Sequence, residues 1–326
     1  MRTLRRRLTA GLVFGFLVAL ALALAGDIRQ VGTHLASFRW ALFPLVLAAT
    51  LFNYALRFLK WHYYLSQVGV HELSWRESAR LFVAGFPLAV TPGKVGEALK
   101  GVWLNQKTGI PTARGVTVVL AERISDGLAV LALSTLGVIA YPAYWPAFAV
   151  VLGVLLAGIV LSQIRPLALA LIGVAERAPF IRDTAHHLRS FYEGTYALFR
   201  PKVLLAAVAL GILAWSGEGF AFYLVLIGLG IPGGGEALSL AVFILSFSTV
   251  VGAVSALPGG LGAAEASIAG MLTLLLGLPG ETAAAATLLI RFATLWFGVA
   301  LGLAVWAFSA DLLALEGRKP GAAPPA

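Results

Sequence analysis

The chain has 326 residues, of which 60% are hydrophobic and 12% are charged, and its net charge is +9. Soluble domains carry about 25% charged residues, and apolar runs of about 20 residues recur along this chain, so the composition excludes a soluble globular protein and predicts a multi-pass membrane protein. The absence of cysteine excludes disulfides, thiolate metal sites and a cysteine nucleophile. The positive charge is typical of cytoplasmic loops in such a protein and is not a signal for nucleic-acid binding.

Six segments predict full membrane spans. The first, with its basic start, also fits a signal peptide, but we interpret it as an uncleaved span. The spans are expected at residues 8–26, 40–60, 115–140, 145–163, 202–229 and 282–308.

Two further apolar segments are interrupted by helix breakers. Residues 78–105 are broken at Pro92 and Gly93, and residues 237–277 at Pro258, Gly259 and Gly260. Because freed backbone groups at membrane depth are tolerated only against protein or water, we predict that both segments are re-entrant helical hairpins. The fold class expected is therefore an all-α integral membrane protein with six spans and two hairpins.

The distribution of basic residues predicts the orientation. With the N-terminus inside, 20 of the 24 Lys and Arg residues lie in segments that face the cytoplasm, and only Arg29 and Arg39 lie in outer loops. This predicts a plasma (inner) membrane protein with both termini in the cytoplasm.

The order of span, broken hairpin and span occurs twice, at residues 40–140 and 202–308, which predicts an inverted repeat within a membrane domain of residues 1–310. The sequence spacing from Glu97 to Arg123 equals that from Glu265 to Arg291. Residues 164–200 are mixed apolar and basic and predict cytoplasmic amphipathic helices. Residues 311–326 are expected to be a disordered tail.

Seven ionisable residues fall at membrane depth, where each charge costs about 2.5–3.5 kcal/mol on insertion scales. They are expected to converge on the protein interior or on a hydrated cavity. The seven are Glu97, Glu122, Arg123, Asp126, Glu218, Glu265 and Arg291.

The two arginines are the candidates for anion binding, because a guanidinium grips phosphate with two parallel hydrogen bonds. Arg123 and Asp126 are three residues apart on one helix face and could instead pair to lock the helix packing. Arg291 has no acidic neighbour in the sequence, so it needs Glu265, Glu218 or an anionic ligand as partner. Gly217 and Gly219 flank Glu218 and permit close helix approach, so this carboxyl could also simply hydrogen-bond a neighbouring group.

Each break starts a new helix whose N-terminal amides can bind an anion. The substrate-binding positions predicted there are Gly93, Gly96, Gly259 and Gly262. Glu97 and Glu265 either cap these helices, or pair with the arginines when no ligand is bound, or carry a proton.

Four basic residues border the first hairpin and the second span, namely Arg57, Lys60, Lys94 and Lys100. We interpret them as side chains that reach the cytoplasmic interface, with a phosphate-collecting entrance as the alternative. The sequence lacks the nucleophile-elbow, zinc-protease and P-loop motifs, so neither an enzyme nor ATP-driven pumping is expected. No cofactor or metal is expected either.

Two stretches carry a family resemblance. The segment "TPGKVGEALKG" followed by "GI" and "ERISD" resembles the first signature of the lysylphosphatidylglycerol synthase transmembrane-region family of flippase-like proteins. It matches at Pro92, Gly93, Gly96, Glu97, Gly109, Ile110, Glu122, Arg123 and Asp126. The segment "LPGGLGAAEASIAG" with "LLIRFATLWFG" resembles the second, at Pro258, Gly259, Gly262, Glu265 and Arg291, although Ala263-Ala264 replaces a more usual valine.

The resemblance covers about residues 10–310 and implies a membrane domain that moves an anionic or zwitterionic lipid, or a lipid-linked sugar. Longer relatives add an aminoacyl-transferase domain, which is not expected here. Two alternatives stay open: a membrane-embedded transferase with Glu97 or Asp126 as acid or base, and a secondary transporter of a soluble anion. The expected partner is a membrane lipid, and self-association into a homo-oligomer is left open.

Overall fold

A computed structural model describes residues 2–91, 96–140, 145–177 and 185–313, and these are all-helical, which confirms the all-α part of the predicted fold class. Short 3-10 turns at Phe86–Val90 and Pro258–Gly260 and a π turn at Phe292–Trp296 separate some of the helices. The α-helices are α1 (Arg2–Ala25), α2 (Ile28–Ser37), α3 (Phe43–Gln67), α4 (Trp75–Ala84), α5 (Leu99–Thr108), α6 (Thr112–Ala140), α7 (Trp145–Gln163), α8 (Arg165–Arg177), α9 (Ala185–Leu198), α10 (Pro201–Gly228), α11 (Gly235–Val254), α12 (Ala263–Leu276), α13 (Gly280–Arg291), α14 (Phe297–Ala307) and α15 (Ala310–Leu313).

Local sequence signals set several of these helix ends. Ser74 caps α4, because its hydroxyl accepts a hydrogen bond from the Glu77 N–H at 3.2 Å. Pro201 begins α10, where its missing N–H costs nothing. Gly109 and Gly277 end α5 and α12 with φ angles of 75° and 64°, the left-handed conformation that glycine adopts without strain.

Six helical segments in the described ranges are long and apolar enough to cross a membrane. Four of them overlap the predicted spans near residues 8–26, 40–60, 202–229 and 282–308, and α7 forms a bent pair with α8, at 73°. The remaining two are Gly235–Val254 and Pro258–Leu276, the arms of the predicted second hairpin. Each arm is long enough to span by itself, so the re-entrant hairpins and the inverted repeat stay predictions.

The apolar core is divided into two main clusters. One contains Trp61 of α3 and Val118 of α6, and the other contains Val46 and Leu131 of the same two helices. The polar residues between these positions therefore lie between two apolar layers. On α3 the residue at this level is Arg57, ten residues before the helix end at Gln67. At 1.5 Å per residue this places its Cα about 15 Å from the helix end, half the thickness of a hydrocarbon core.

The two Pro-Gly breaks approach each other in space. The turn Phe86–Val90, just before the first break, packs against the turn Pro258–Gly260 of the second. A Cβ atom added to Gly259 would lie 3.3 Å from Val90 Cγ1. Residues 92–95, including Gly93, lie outside the described residues.

Beyond the spans, α9 packs on α6, and α15 lies at the end of the described chain, in a region where the sequence predicts a disordered tail. Its position is held by Trp103 of α5, whose Nε1 donates to the Leu312 carbonyl at 3.1 Å. Burial acts to raise the pKa of the Asp311 carboxyl, but hydrogen bonds from Lys107 and Arg80 outweigh burial and lower this pKa. Residues 314–326 lie outside the described residues.

The crossing of α5 and α6 depends on two glycines in direct backbone contact. A Cβ atom on Gly115 would lie 2.8 Å from the Gly101 Cα, and backbone cannot rotate away as a side chain can. We expect Gly115→Ala to lower the stability by about 1–3 kcal/mol. The thermal unfolding midpoint of purified protein in detergent measures the change. Gly270→Ala on α12 is the matched control, since nothing lies within 4 Å of its added Cβ, and equal midpoints for the two variants would contradict the interpretation.

Candidate functional site

One turn of α6 organises the first group of charges. Arg123 contacts three carboxylates: Nη2 lies 2.8 Å from Glu122 and 3.8 Å from Asp126, and Nε lies 3.4 Å from Glu97. The local Arg123–Asp126 pair that the sequence suggested is therefore present but is the longest of the three. Glu97, from the end of the first break, reaches the arginine from a separate segment of the chain.

Helix α3 supplies further cations to the same carboxylates. Arg57 Nη2 lies 2.8 Å from Glu122, and its Nε lies 3.3 Å from Asp126. Lys60 pairs with Asp126. From α5, Lys100 Nζ lies 3.4 Å from Glu122 and 4.8 Å from the centre of the Trp61 ring. The result is a continuous ionic network that joins α3, α5 and α6.

The interpretation of Lys60 and Lys100 as interfacial side chains is wrong. Lys60 is 0% exposed and Lys100 is 3% exposed, both inside the protein. A buried ammonium that lacks a partner costs several kcal/mol, and here each finds a carboxylate on α6. Lys94 lies outside the described residues.

A second ion pair lies in the other half of the chain. Arg291 Nε donates to Glu265 Oε1 at 2.6 Å, so Glu265 is the partner that the sequence left open. Arg291 Nη2 also donates to the Gly259 carbonyl at 2.9 Å. Glu265 Oε2 accepts the Gly262 N–H at 2.7 Å and so caps α12 as well. Two of the three roles suggested for Glu265, helix cap and partner of an arginine, are thus filled by its two oxygens.

The glycine amides predicted to bind an anion are engaged by the protein itself at two positions. The Gly96 N–H donates to Thr91 Oγ1 at 3.0 Å, and the Gly262 N–H donates to Glu265. Glycine is required at Gly259 and Gly262, whose φ angles are 60° and 87°. The two glycines of the second break therefore shape the turn and hold the second pair, and neither the Gly96 amide nor the Gly262 amide is free in this structure.

The two arginine–glutamate pairs have the same sequence spacing, but the distance between the charged groups is longer at Arg123 than at Arg291. In each pair the arginine Nε faces the glutamate that precedes it at the same sequence distance. At Glu97 the 3.4 Å contact is not a hydrogen bond, and both Arg123 Nε and Glu97 Oε2 lack a hydrogen-bond partner in the described part of the chain. The Arg123 side chain is also 31% exposed, against 15% for Arg291. The first pair is therefore the looser and the more accessible.

Both arginines line the same cavity, of about 460 Å³, between the two halves of the chain. Glu97, Asp126 and Glu218 contribute carboxylates to its wall. The rest of the wall is largely apolar and includes Phe86, Val130, Leu155, Trp215, Leu245 and Leu295. Five of the seven charges predicted to converge line this cavity, and the other two, Glu122 and Glu265, pair with its arginines. The cavity has the mixed lining of a ligand site.

The sequence analysis named Arg57, Lys60 and Lys100 only as interfacial side chains or as a phosphate-collecting entrance, and did not predict that they pair with Glu122 and Asp126. Arg57 and Lys60 are three residues apart and share one face of α3, which is the signal that could have indicated a shared partner. Glu122 was recognised only as a charge at membrane depth. Hydropathy alone does not show which face of a helix points into the protein, so the sequence did not determine which charged residues pair with each other.

The described residues are all-helical and combine several spans with a charged internal cavity, which defines a multi-pass membrane protein with a central polar site. The model of the family described as "Lysylphosphatidylglycerol synthase TM region" matches residues 8–302, and the chain belongs to this family. A "UPF0104 membrane protein" from Methanothermobacter thermautotrophicus (strain Delta H) is 27% identical over 285 residues. That alignment covers 81% of this chain and 82% of the relative. The resemblance seen in the two motifs is confirmed.

From the ionic network we predict that loss of a buried carboxylate destabilises the protein more than loss of an exposed one. We expect Asp126→Asn to destabilise the protein by about 3–5 kcal/mol, because it leaves the buried Lys60 without its partner. The matched control is Asp311→Asn, which breaks exposed pairs with Arg80 and Lys107 and should cost less than about 1 kcal/mol. Unfolding midpoints in detergent compare the two variants.

A second substitution separates a charge effect from a packing effect. Lys60→Met combined with Asp126→Asn removes the stranded ammonium and keeps its volume, so it should recover part of the lost stability. Asp126→Asn that unfolds no earlier than Asp311→Asn would contradict the network as a stabilising element.

Proposed function

We propose that this protein moves the phosphate headgroup of a membrane lipid, or of a lipid-linked glycan carrier, across the plasma membrane. The observation that carries the proposal is that Arg123 and Arg291, one from each half of the chain, line the same cavity. Cations at membrane depth are costly, so their convergence on a cavity favours an anionic ligand. On this proposal the protein is a translocase and not an enzyme.

The cavity suits a headgroup better than a whole lipid. Its volume of about 460 Å³ lies at the lower end of small-molecule pockets, about 300–1,000 Å³. Charged side chains lie beside apolar ones in the wall, which suits a phosphate attached to a glycerol backbone. The acyl chains would stay in the bilayer while the headgroup passes through the protein.

Ligand binding would exchange one set of ion pairs for another. Arg123 Nε lies 3.4 Å from Glu97 and makes no hydrogen bond to it, so a phosphate oxygen can take the place of that carboxylate at low cost. Glu97 is near the first break and Arg291 hydrogen-bonds the backbone of the second. A phosphate between the arginines would therefore bias the relative position of the two halves.

The orientation belongs to the same proposal. The excess of basic residues in the loops favours both termini in the cytoplasm. Lys60 and Lys100 would then lie on the cytoplasmic side of Arg57 and Arg123. A headgroup that enters from the cytoplasm would meet Lys100 before Arg123, since both line the cavity.

Reconstitution tests the proposal directly. Vesicles that contain the protein and a trace of phosphatidylglycerol labelled with a nitrobenzoxadiazole dye are treated with dithionite, which bleaches only the outer leaflet. We expect the wild type to expose the inner label over time. Arg123→Gln/Arg291→Gln should slow this exchange at least about tenfold, because each lost charged hydrogen bond is worth about 1.5–3 kcal/mol.

The control is Arg114→Gln, which removes an arginine paired with Glu193 outside the cavity and should leave the rate unchanged. Arg123→Lys/Arg291→Lys keeps the charges and should give an intermediate rate. A folded Arg123→Gln/Arg291→Gln protein that exchanges lipid at the wild-type rate would contradict the proposal. A labelled lipid of altered mass would instead indicate a transferase, and uptake of a soluble anion without lipid exchange would indicate a solute transporter.

A further inference from the structure

One carboxyl group in the cavity has no partner within the described part of the chain. Glu218 on α10 is 5% exposed and lines the cavity with the two arginines. In the described ranges it makes no hydrogen bond and no ion pair, whereas Glu97, Glu122, Asp126 and Glu265 are all paired. An ionised carboxylate that is buried and unpaired is costly, so this group requires either a proton or a cation.

The backbone fixes Glu218 in this position. A Cβ atom on Gly217 would lie 2.8 Å from Phe52 Cδ1, and one on Gly219 would lie 2.7 Å from Val242 Cγ2. The two glycines therefore let α10 pack closely against α3 on one side and α11 on the other. This close packing holds the Glu218 backbone beside the cavity.

The ionisable groups that act on Glu218 come from three of the elements packed against α10. Tyr54 and Arg57 face it from α3, Asp126 from α6 and Arg291 from α13. Helix α11 contributes Thr249 and apolar residues to the cavity wall, and the turn Trp40–Leu42 has no ionisable side chain. Two cations and one carboxylate therefore surround Glu218, and none of these described groups lies within ion-pair distance.

The charge of the network depends on this one proton. In the described ranges the paired groups around the cavity comprise five cations and four carboxylates, so they carry a net charge of +1. Ionised Glu218 cancels that charge, and protonated Glu218 leaves it free. The cations are Arg57, Lys60, Lys100, Arg123 and Arg291.

We propose that Glu218 binds one proton together with the anionic headgroup, so that a monoanionic phosphodiester and a proton cross the membrane as a neutral pair. This inference rests on the proposed function and adds its coupling ion. Ionised Glu218 competes with the phosphate for Arg57 and Arg291. Protonation of the carboxyl removes the competing charge and supplies an O–H that can donate to a phosphate oxygen. The same proton leaves with the headgroup on the far side.

Linkage makes the proposal measurable in the purified full chain. If the proton favours the anion, the anion must favour the proton by the same factor. The probe is dihexanoyl-phosphatidylglycerol, titrated by calorimetry at pH 6, 7 and 8 in pairs of buffers with different heats of ionisation. We expect proton uptake that approaches one per bound lipid as pH rises, and affinity that falls up to about tenfold per pH unit.

Three variants test whether Glu218, and not another titrating group, takes up the proton. Glu218→Gln should bind the probe with no proton uptake, and its affinity should change less than about twofold between pH 6 and 8. Glu218→Asp keeps a carboxyl and should retain uptake. Glu236→Gln, at the exposed start of α11, is the matched control and should behave as wild type.

Three results would overturn the inference: no proton uptake by the wild type, uptake retained by Glu218→Gln, or no binding of any probe. Lipid exchange in vesicles without proton uptake would refute this inference alone. Proton-linked binding without lipid exchange would refute the proposed function and, with it, the joint crossing of proton and headgroup, and would leave only proton-linked binding at Glu218. Dimethyl phosphate is a phosphodiester without acyl chains. If it binds with the same affinity as dihexanoyl-phosphatidylglycerol, the ligand of the proton-linked site is a soluble phosphodiester and not a lipid.

Discussion

The structure depends on a single constraint: a charge placed in the middle of an apolar span must find a partner inside the protein. Glu122 is fully buried and is contacted by cations from α3, α5 and its own helix. These contacts fix how the three helices of the first half pack, and the Arg291–Glu265 pair does the same across the second break. The network therefore holds the fold together at the level where the ligand would pass.

The ionic network around Arg123 and the separate Arg291–Glu265 pair differ in how closely their charges are held. The Arg291 pair is short and hydrogen-bonded, and Glu265 is also committed to capping α12. The Arg123 pair is longer, more exposed and leaves polar atoms without partners in the described part of the chain. The Arg291 pair is thus the more tightly held of the two, and on the proposed function the Arg123 pair would be the one that accepts an incoming anion.

Position along the sequence and position in space diverge most for α3. Its cations were expected at the cytoplasmic interface, because a basic pair after an apolar run is typical of an anchor. They instead reach carboxylates about 65 residues later in the chain, as Arg57 does with Glu122. A long basic side chain can extend towards water or towards a buried acid, and only the neighbouring helix decides between them.

The sequence by itself determined the membrane class, the helical elements, the two Pro-Gly breaks and the set of charges that needed partners. Composition and periodicity are local properties, and so is the intolerance of an apolar span for a lone charge. Only the tertiary structure decided that Arg291 pairs with Glu265, that Lys60 and Lys100 are interior, and that Glu218 is left unpaired among the described residues. The reason is that pairing depends on which helix faces meet, and helix packing is set by contacts between segments far apart in the chain.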